Sequence, residues 1–187
     1  MEIIRLTTWV KASAGQCFKL ATSAEFHAAL AKPSKDVMLT SSTPNHELSV
    51  GDQLLWPGRY LGLQLQYSSR IDLLRPPDYF REVLVEGPFR HFEHDHHFTP
   101  LNEGTRMRDE VRFQLPSGLL GPMSIPVVRR YLISRIALRN ELLKEAAEAG
   151  IGGEFSERQP PRSESVSRAE GRSDAPQRVA TGQIVAH

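Results

Sequence analysis

The chain has 187 residues, 40% of them apolar, and its 23 basic and 22 acidic side chains leave a net charge of +1. This length suits a single domain with a sizeable core, and the balanced charge argues against a protein that binds nucleic acid through bulk positive charge. No apolar stretch approaches the ~20 residues of a membrane-spanning helix, and the N-terminus lacks a signal-peptide pattern. The single cysteine, Cys17, excludes an internal disulfide and a cysteine-rich zinc cluster. We therefore expect a cytoplasmic protein with no transmembrane segment.

The N-terminal segment predicts one strand followed by two short helices. Residues 2–11 are rich in β-branched side chains, which is typical of a strand. Ser13 is followed three residues later by Gln16, the spacing of a capping box, and therefore begins a helix. Ser23 begins a second helix, which Pro33 ends.

The middle of the chain predicts an antiparallel meander. Turn signals such as Gly87-Pro88 separate six strand-like stretches. The longest stretch keeps every second residue from Leu61 to Leu73 on one face, because side chains alternate along a strand. One face of the sheet is therefore predicted to be apolar and the other wet. The strands are expected at residues 37–41, 52–56, 61–74, 79–86, 89–99 and 105–114.

The last apolar segment predicts one long helix. Residues 123–149 have helical periodicity, span roughly 40 Å at 1.5 Å per residue, and place Pro126 in the first turn. Such a helix can pack across the concave face of a curved meander and leave a cavity between the two. Its apolar stripe is broken and consists of Ile125, Val128, Leu132, Ile136, Leu143 and Ala147.

Four arginines also lie on this helix, at positions 129, 130, 135 and 139. Arginine side chains are mostly exposed in folded proteins, so we expect a solvated face. A docking surface for an acidic lipid or for a partner is the alternative.

Composition changes sharply near Gly150. Residues 150–187 are rich in Ser, Arg, Glu, Pro and Gly and have too few apolar side chains to bury a core. The sequence therefore predicts a folded domain over residues 1–149 and a disordered polar tail over residues 150–187.

Histidine is the unusual feature of the sequence, because four of the seven lie within FRHFEHDHHF. On a strand, His94 and His96 point to one face, together with the phenylalanines that flank them. Such a face is predicted to point inward, which turns residues 91, 93, 95 and 97 to the solvent. Glu82 and Asp109 lie on the strands next in sequence and are good hydrogen-bond partners for buried imidazoles.

The group formed by Glu82, His94, His96 and Asp109 fits four kinds of site. It is typical of a satisfied polar network in a cavity wall. Alternatively, one histidine bonds a polar group of an otherwise apolar ligand. A third possibility is an acid–base site, with these four residues as the catalytic candidates. The fourth is a metal site in which the two histidines and either carboxylate are the ligands.

A recognisable pattern runs through the stretch YFREVLVEGPFRHFEHDHHFTPLNEGTRMRDEVRFQLPSG. It reads F-x-D/E, G-P-F/Y, W-x-H-x-H-x-F, G-T-x-x-x-D and L-P-x-G, with Phe92 in place of the usual Trp and Leu84 where a polar residue is common. This pattern resembles the signature of a bacterial subgroup of the START-like, or SRPBCC, superfamily. Members of that subgroup are described as polyketide cyclase/dehydrase-like or cell-division-inhibitor-like.

The resemblance implies an α+β helix-grip fold. In that fold a curved antiparallel sheet of about seven strands wraps around a long C-terminal helix, and two short helices follow the first strand. Members of the superfamily bind lipids, quinones, polyketides or hormones, and only some are catalysts. The resemblance implies no metal and no cofactor. Proteins of the subgroup are often encoded beside, or fused to, epimerase-like NAD-dependent oxidoreductases, which suggests such an enzyme as a partner.

We therefore expect a protein that binds a small hydrophobic ligand, such as a lipid, a quinone or a polyketide, between sheet and helix. Two alternatives stay open: a cyclase or dehydratase with His94 or His96 as acid–base catalyst, and an interaction module for the oxidoreductase. No nucleic acid is expected as a partner. The residues predicted to line the ligand site are Leu63, Leu65, Tyr67, Glu82, Phe92, His94, His96, Phe98, Asp109, Val111, Leu132 and Ile136.

Overall fold

The computed structural model describes residues 1–27, 38–39, 47–56, 58–60, 63–116 and 124–150. Most of the second predicted helix and the predicted tail beyond residue 150 lie outside the described residues. The two described helices with defined ends are α1 (Ala14–Ala21) and α2 (Ile125–Glu148). The strands are β1 (Glu2–Val10), β2 (Met38–Leu39), β3 (Gln53–Trp56), β4 (Arg59–Tyr60), β5 (Leu63–Gln64), β6 (Tyr67–Arg75), β7 (Tyr79–Glu86), β8 (His91–Leu101) and β9 (Gly104–Gln114).

Seven of these strands form one antiparallel sheet in the order β1-β9-β8-β7-β6-β3-β2. Strands β6 to β9 pair consecutively as a meander, and β1 pairs with β9. Helix α2 packs against β1 and α1. A curved antiparallel sheet with a long C-terminal helix confirms the predicted α+β helix-grip fold. Neither described helix combines the length and the apolar composition needed to cross a bilayer.

Local sequence signals set the ends of several elements. The Ser13 hydroxyl accepts a hydrogen bond from the Gln16 amide at 3.3 Å, and Gln16 Oε1 accepts one from the Ser13 amide at 3.1 Å. This reciprocal pair confirms the predicted capping box. Gly104 turns β8 into β9 at a φ of +140°, and a Cβ there would lie 2.1 Å from the Val10 carbonyl oxygen. Only glycine fits that close approach.

The single strand predicted over residues 61–74 is two strands in the structure. Leu63 and Gln64 pair with β4 as a separate two-stranded sheet, whereas β6 begins only at Tyr67. Between them, the Leu65 amide donates to the Gly58 carbonyl at 2.9 Å instead of joining the main ladder. The predicted alternation holds in the described middle of the segment, where the side chains at 65, 69 and 71 are buried and those at 66, 70 and 72 are exposed. It fails after Ile71, where a register shift in the pairing with β7 turns Leu74 towards the core in place of Leu73.

The core beneath α2 is divided into two apolar clusters. Cys17 lies in the cluster nearer α1. Burial raises the pKa of its thiol to about 11, so the side chain packs as an apolar group and is not a reactive thiolate. We call the first the α1-side cluster; it contains Val10, Ala14, Cys17, Phe18, Leu20, Ala21, Leu48, Leu54, Ile71, Phe80, Phe98, Met107, Leu143 and Ala147. We call the second the opposite cluster; it contains Ile4, Leu65, Phe89, Phe92, Val111, Phe113, Val128, Tyr131, Leu132 and Ile136.

The buried face of α2 corrects the prediction of a solvated arginine face. Arg139 is only 8% exposed, whereas Arg130 is exposed. With Asn140, Arg139 fills the gap in the apolar stripe between Ile136 and Leu143. Residues three and four apart lie on the same side of a helix, so Arg139 must point inward with its neighbours in the stripe.

The outer face of the sheet also differs from its prediction. Asp95, expected to face the solvent, is only 2% exposed. Arg81 Nε donates to Asp95 Oδ1 at 2.8 Å, Arg112 Nη1 donates to Oδ2 at 2.7 Å, and the Tyr79 hydroxyl also donates to Oδ1. Arg112 pairs with Glu93 as well. The long arginine side chains cover the carboxylates, so this face carries an ion-pair network in place of freely solvated groups.

The buried face of α2 predicts opposite results for two leucines. Leu132→Asp places an unpaired charge in the opposite cluster and should cost several kcal/mol, on the order of 4 or more, with loss of cooperative unfolding or of soluble expression. Leu138→Asp is the matched control, because Leu138 is 48% exposed on the same helix and should change the free energy of unfolding by about 0.5 kcal/mol or less. Urea melts of both variants measure the difference. Equal stabilities would mean that the helix face is assigned wrongly.

Candidate functional site

A band of polar side chains separates the two apolar clusters. Strand β8 shows the pattern most clearly, because Phe92 lies in the opposite cluster, Phe98 lies in the α1-side cluster, and the two inward residues between them are His94 and His96. The neighbouring strands and α2 change from apolar to polar at the same level. We call this band the polar belt; it consists of Thr8, Ser69, Glu82, His94, His96, Asp109, Arg139 and Asn140.

The register of the sheet brings the four predicted polar residues together. Glu82 on β7 stands opposite His94 on β8, and His96 stands opposite Asp109 on β9. All four are at least 94% buried, so the prediction that His94 and His96 point inward is confirmed. The two imidazole rings lie against each other with centroids 3.7 Å apart, and His96 also stacks on Phe80 at 4.0 Å.

Asp109 is the centre of one half of the belt. His94 donates through Nε2 to Asp109 Oδ1 at 2.8 Å, and His96 Nδ1 lies 2.9 Å from the same oxygen. Asn140 donates through Nδ2 to Oδ2 at 2.6 Å. Arg139 Nη1 is 3.5 Å from Oδ1 and 3.2 Å from His96 Nδ1. The carboxylate of Asp109 thus orients both imidazoles and also contacts two polar residues of α2, Arg139 and Asn140.

Glu82 is the centre of the other half. Its Oε2 accepts a hydrogen bond from the Ser69 hydroxyl at 2.6 Å, and the Trp56 indole in turn donates to Ser69 Oγ at 2.9 Å. Its Oε1 lies 3.3 Å from His96 Nε2. Neither Glu82 Oε1 nor His96 Nε2 makes a hydrogen bond among the described residues, although both atoms are fully buried.

Several further atoms of the belt lack a partner within the described part of the chain. Arg139 makes no hydrogen bond through Nε or Nη2, and Asn140 makes none through Oδ1. A buried polar group without a partner costs about 1–3 kcal/mol, so folded proteins rarely keep several together. The belt therefore offers both donors and acceptors to a bound molecule, a water or an ion.

Both carboxylates of the belt are ionised at neutral pH. Burial by itself raises the pKa of Glu82, but the contacts with His96 and the nearby His94 outweigh it and lower the pKa to about 2. The same balance, with His94 and His96 as hydrogen-bond partners, holds the pKa of Asp109 well below its usual range. Burial and the neighbouring His96 lower the pKa of His94 to about 4, against the opposing effect of Asp109.

Three functional candidates escape prediction from the sequence. Arg139 and Asn140 were missed as belt residues, although the gap that they fill in the helical stripe is a signal that could have found them. His27 lies beside the belt: it is buried, donates through Nε2 to the Ala21 carbonyl at 2.8 Å, and has no partner at Nδ1 within the described residues. Burial and the charge of Arg139 lower the pKa of His27 to about 4.

The residues predicted to line a ligand site do not all lie in one place. The aromatic ring of Tyr67 packs on Phe92 with centroids 4.8 Å apart, beside the opposite cluster. Phe98 lies across the belt in the α1-side cluster, and the side chain of Leu63 is outside the described residues. Sequence reasoning also missed two aromatic members of the opposite cluster, Phe89 and Tyr131. The predicted members of the opposite cluster itself are Leu65, Phe92, Val111, Leu132 and Ile136.

Comparison with known proteins connects this geometry to a family. A family model described as polyketide cyclase / dehydrase and lipid transport matches residues 10–136. A comparison with curated proteins finds no match.

Solved structures with a similar fold come from several proteins. A protein from Thermus thermophilus has a TM-score of 0.66 at 17% identity, covering 80% of this chain and 99% of that one. The di-domain ARO/CYC protein BexL from the BE-7585A biosynthetic pathway has a TM-score of 0.61 at 15% identity, covering 79% of this chain and 50% of that one. A START superfamily protein from Mycobacterium smegmatis has a TM-score of 0.53 at 16% identity, covering 82% and 98%. At these identities the likeness is one of fold.

The belt predicts unequal stability costs along β8. His96→Ala and His94→Ala each remove a packed ring and take one hydrogen-bonding partner from a buried carboxylate. Each should lower the free energy of unfolding by on the order of 1–3 kcal/mol. His91→Ala is the matched control on the same strand, since its half-exposed ring faces the outer surface, and it should cost about 0.5 kcal/mol or less. Denaturant melts of the three variants test the register. A larger cost at His91 than at His96 would contradict it, because a one-residue slip exchanges the two faces.

The buried His27 predicts a dependence of stability on pH. Its pKa is about 4 in the fold against 6.5 for the ordinary side chain. The unfolded chain therefore binds a proton below pH 6.5 that the folded chain does not, and the contribution of His27 to stability, complete above 6.5, falls by about 1.4 kcal/mol per pH unit down to about 4. His27→Gln should lose this slope while other groups keep theirs. Urea melts of both proteins at pH 7, 6 and 5 measure the difference, and parallel curves would refute the assignment.

Proposed function

The chain belongs to the polyketide cyclase / dehydrase and lipid transport family, and we propose that it binds one small, largely apolar molecule between the sheet and helix α2. In this proposal a polar group of the molecule meets the polar belt, and its apolar part lies against the opposite cluster. The observation that supports it most is a set of buried donors and acceptors that have no partner among the described residues and lie directly beside an aromatic-rich apolar surface.

The opposite cluster suits the apolar part of such a molecule. Tyr67 packs on Phe92 and, at 5.5 Å, on Phe89, so three aromatic rings adjoin one another. Leu132 and Ile136 of α2 face them. Aromatic side chains give a large contact area to flat or elongated apolar molecules at little cost in conformational entropy.

The belt suits an oxygen-bearing polar group. Two nitrogens of the Arg139 guanidinium, Nε and Nη2, have no partner in the described part of the chain, and this pair matches a carboxylate or another pair of acceptors. Asn140 Oδ1 is an acceptor for a hydroxyl. Fatty acids, quinones and polyketides all combine an apolar body with carbonyl, carboxyl or phenolic oxygens, so the belt selects among apolar molecules by the position of the oxygen.

Acid–base catalysis is the second candidate function. His96 lies between two ionised carboxylates, with Asp109 2.9 Å from Nδ1 and Glu82 3.3 Å from Nε2. A carboxylate that orients an imidazole beside a second titratable group is an arrangement suited to general acid–base catalysis. A captured molecule that changes mass or absorbance on incubation with the protein, and does not change with His96→Gln, would favour this function over binding alone.

The remaining expectations from the sequence are part of the proposal. Residues 1–149 are proposed to hold the whole ligand site, with residues 150–187 dispensable for binding. A cytoplasmic location is proposed from the composition of the chain, and a partnership with an epimerase-like oxidoreductase from the sequence resemblance; co-purification from the native source tests the partner.

Native mass spectrometry after gentle purification tests the proposed ligand. The full chain and a chain of residues 1–149 should each carry one additional small mass. A panel of fatty acids, quinones and aromatic polyketides should include a compound that raises the melting temperature, since a ligand at 100 times its Kd stabilises a protein by about 2.7 kcal/mol.

A pair of arginine variants makes this test specific. Arg139→Met keeps the apolar stem of the buried side chain and removes the donors, and it should weaken binding of an oxygen-bearing compound by about tenfold or more. Arg130→Met changes an exposed arginine on the same helix and should leave binding unchanged. An empty protein with no melting shift across the panel would count against the proposal, as would equal effects of the two variants.

A further inference from the structure

We propose that Glu82, His94 and His96 form a binding site for a divalent transition-metal ion of the zinc type. Each of the three residues offers one donor atom, and the three atoms lie within 4.8 Å of one another. All three side chains are at least 94% buried. The proposal does not depend on the apolar ligand proposed above, and it revises the expectation of a metal-free protein that the sequence resemblance implies.

The separation of two of the donor atoms matches that of metal ligands. His96 Nε2 lies 3.3 Å from Glu82 Oε1, yet neither atom makes a hydrogen bond among the described residues. Two ligands of a tetrahedral ion with bonds of about 2.0–2.1 Å are about 3.3–3.4 Å apart. The other two separations are no more than 4.8 Å, so a side-chain movement of about 1.5 Å or less brings His94 onto the ion.

Neighbouring groups hold the ligands in the manner typical of metal centres. Metal bound to His96 Nε2 requires the ring proton on Nδ1, and the carboxylate of Asp109 lies 2.9 Å from Nδ1 to accept it. The same carboxylate accepts from His94. Ser69 donates to the other oxygen of Glu82, which leaves Oε1 as the coordinating atom.

The charges and donor types favour one class of ion. Glu82 and Asp109 carry two negative charges against the single positive charge of Arg139, so the belt attracts a cation. Arg139 lies on the Nδ1 side of the His96 ring, where its Nη1 donates to Nδ1 at 3.2 Å. Metal binding at Nε2 places the ring proton on Nδ1, so Arg139 exchanges this bond for its contact with Asp109 Oδ1, now 3.5 Å away. Two imidazole nitrogens and one carboxylate suit Zn²⁺ or Fe²⁺ and disfavour Mg²⁺ and Ca²⁺, which prefer oxygen donors. Three protein donors leave a fourth position for a water or for an oxygen of a bound molecule.

Titration of the full chain with Co²⁺ after treatment with a strong chelator tests the site. Tetrahedral Co²⁺ absorbs visible light intensely, so one equivalent should give a saturable band that Zn²⁺ abolishes by displacement. Zn²⁺ alone should also raise the melting temperature. Absence of a saturable band at one equivalent in the unmodified protein would overturn the proposal without recourse to any variant.

Variants locate the ion. Glu82→Gln and His96→Gln should weaken Co²⁺ binding by about 100-fold or more, and Ser69→Ala, which removes only a supporting hydrogen bond, by about tenfold. His91→Gln is the matched control, because His91 is on the same strand with its ring on the outer face. Retention of the band in both ligand variants, or its loss in His91→Gln, would place the ion elsewhere and overturn the proposal.

The two proposals fail independently. A protein that binds Co²⁺ but carries no apolar molecule contradicts only the proposed ligand. A protein that captures an apolar molecule after chelator treatment but shows no Co²⁺ band contradicts only the metal site.

Discussion

The burial of two ionised carboxylates between sheet and helix is the constraint on which the rest of this structure depends. Glu82 and Asp109 have no access to bulk water, and a buried charge persists only when neighbouring groups compensate it. The compensation comes from distant parts of the chain: histidines of β8, a serine of β6, and an arginine and an asparagine of α2. Elements that are remote in sequence must therefore meet in one register.

This requirement fixes how the helix sits on the sheet. Apolar packing alone specifies the position of a helix less sharply, because a core of the right volume and pattern can repack before it loses stability. Arg139 and Asn140 remove that freedom, since any displacement by a turn would move them from Asp109 into one of the apolar clusters. We infer that the polar belt lowers the free energy of unfolding but fixes one position of α2 on the sheet, a role that buried ionic groups have in some proteins.

The order of elements and the inward direction of His94 and His96 follow from the sequence because they depend on local chemistry. Capping residues, turn glycines and strict alternation act over a few positions, so Ser13, Gly104 and β8 could be interpreted without knowledge of the fold. Arg139 and Asp95 could not, because an arginine or aspartate is exposed by default and only partners far along the chain make its burial acceptable. The division of residues 61–74 into two strands has the same origin. Strand β5 pairs with β4, and the sequence of the segment itself does not indicate which strand it will pair with. The metal ligands combine both cases, since the H-x-H spacing is local whereas the approach of Glu82 to 3.3 Å depends on the pairing of β7 with β8.

The division of the core by the belt gives α2 two different halves. Its C-terminal half packs on the α1-side cluster, and Glu148 accepts a hydrogen bond from the Lys11 amide at 2.9 Å, so this end is tied to the N-terminal segment as well as to the sheet. Its N-terminal half packs on the opposite cluster, and Arg129 donates to the Ile3 carbonyl at 2.7 Å. The two ends of α2 therefore differ in what surrounds them: one is bonded to the N-terminal segment, and the other adjoins the aromatic surface proposed for the apolar ligand. A substitution in the first turns of α2 should therefore affect ligand binding more than one in its last turns.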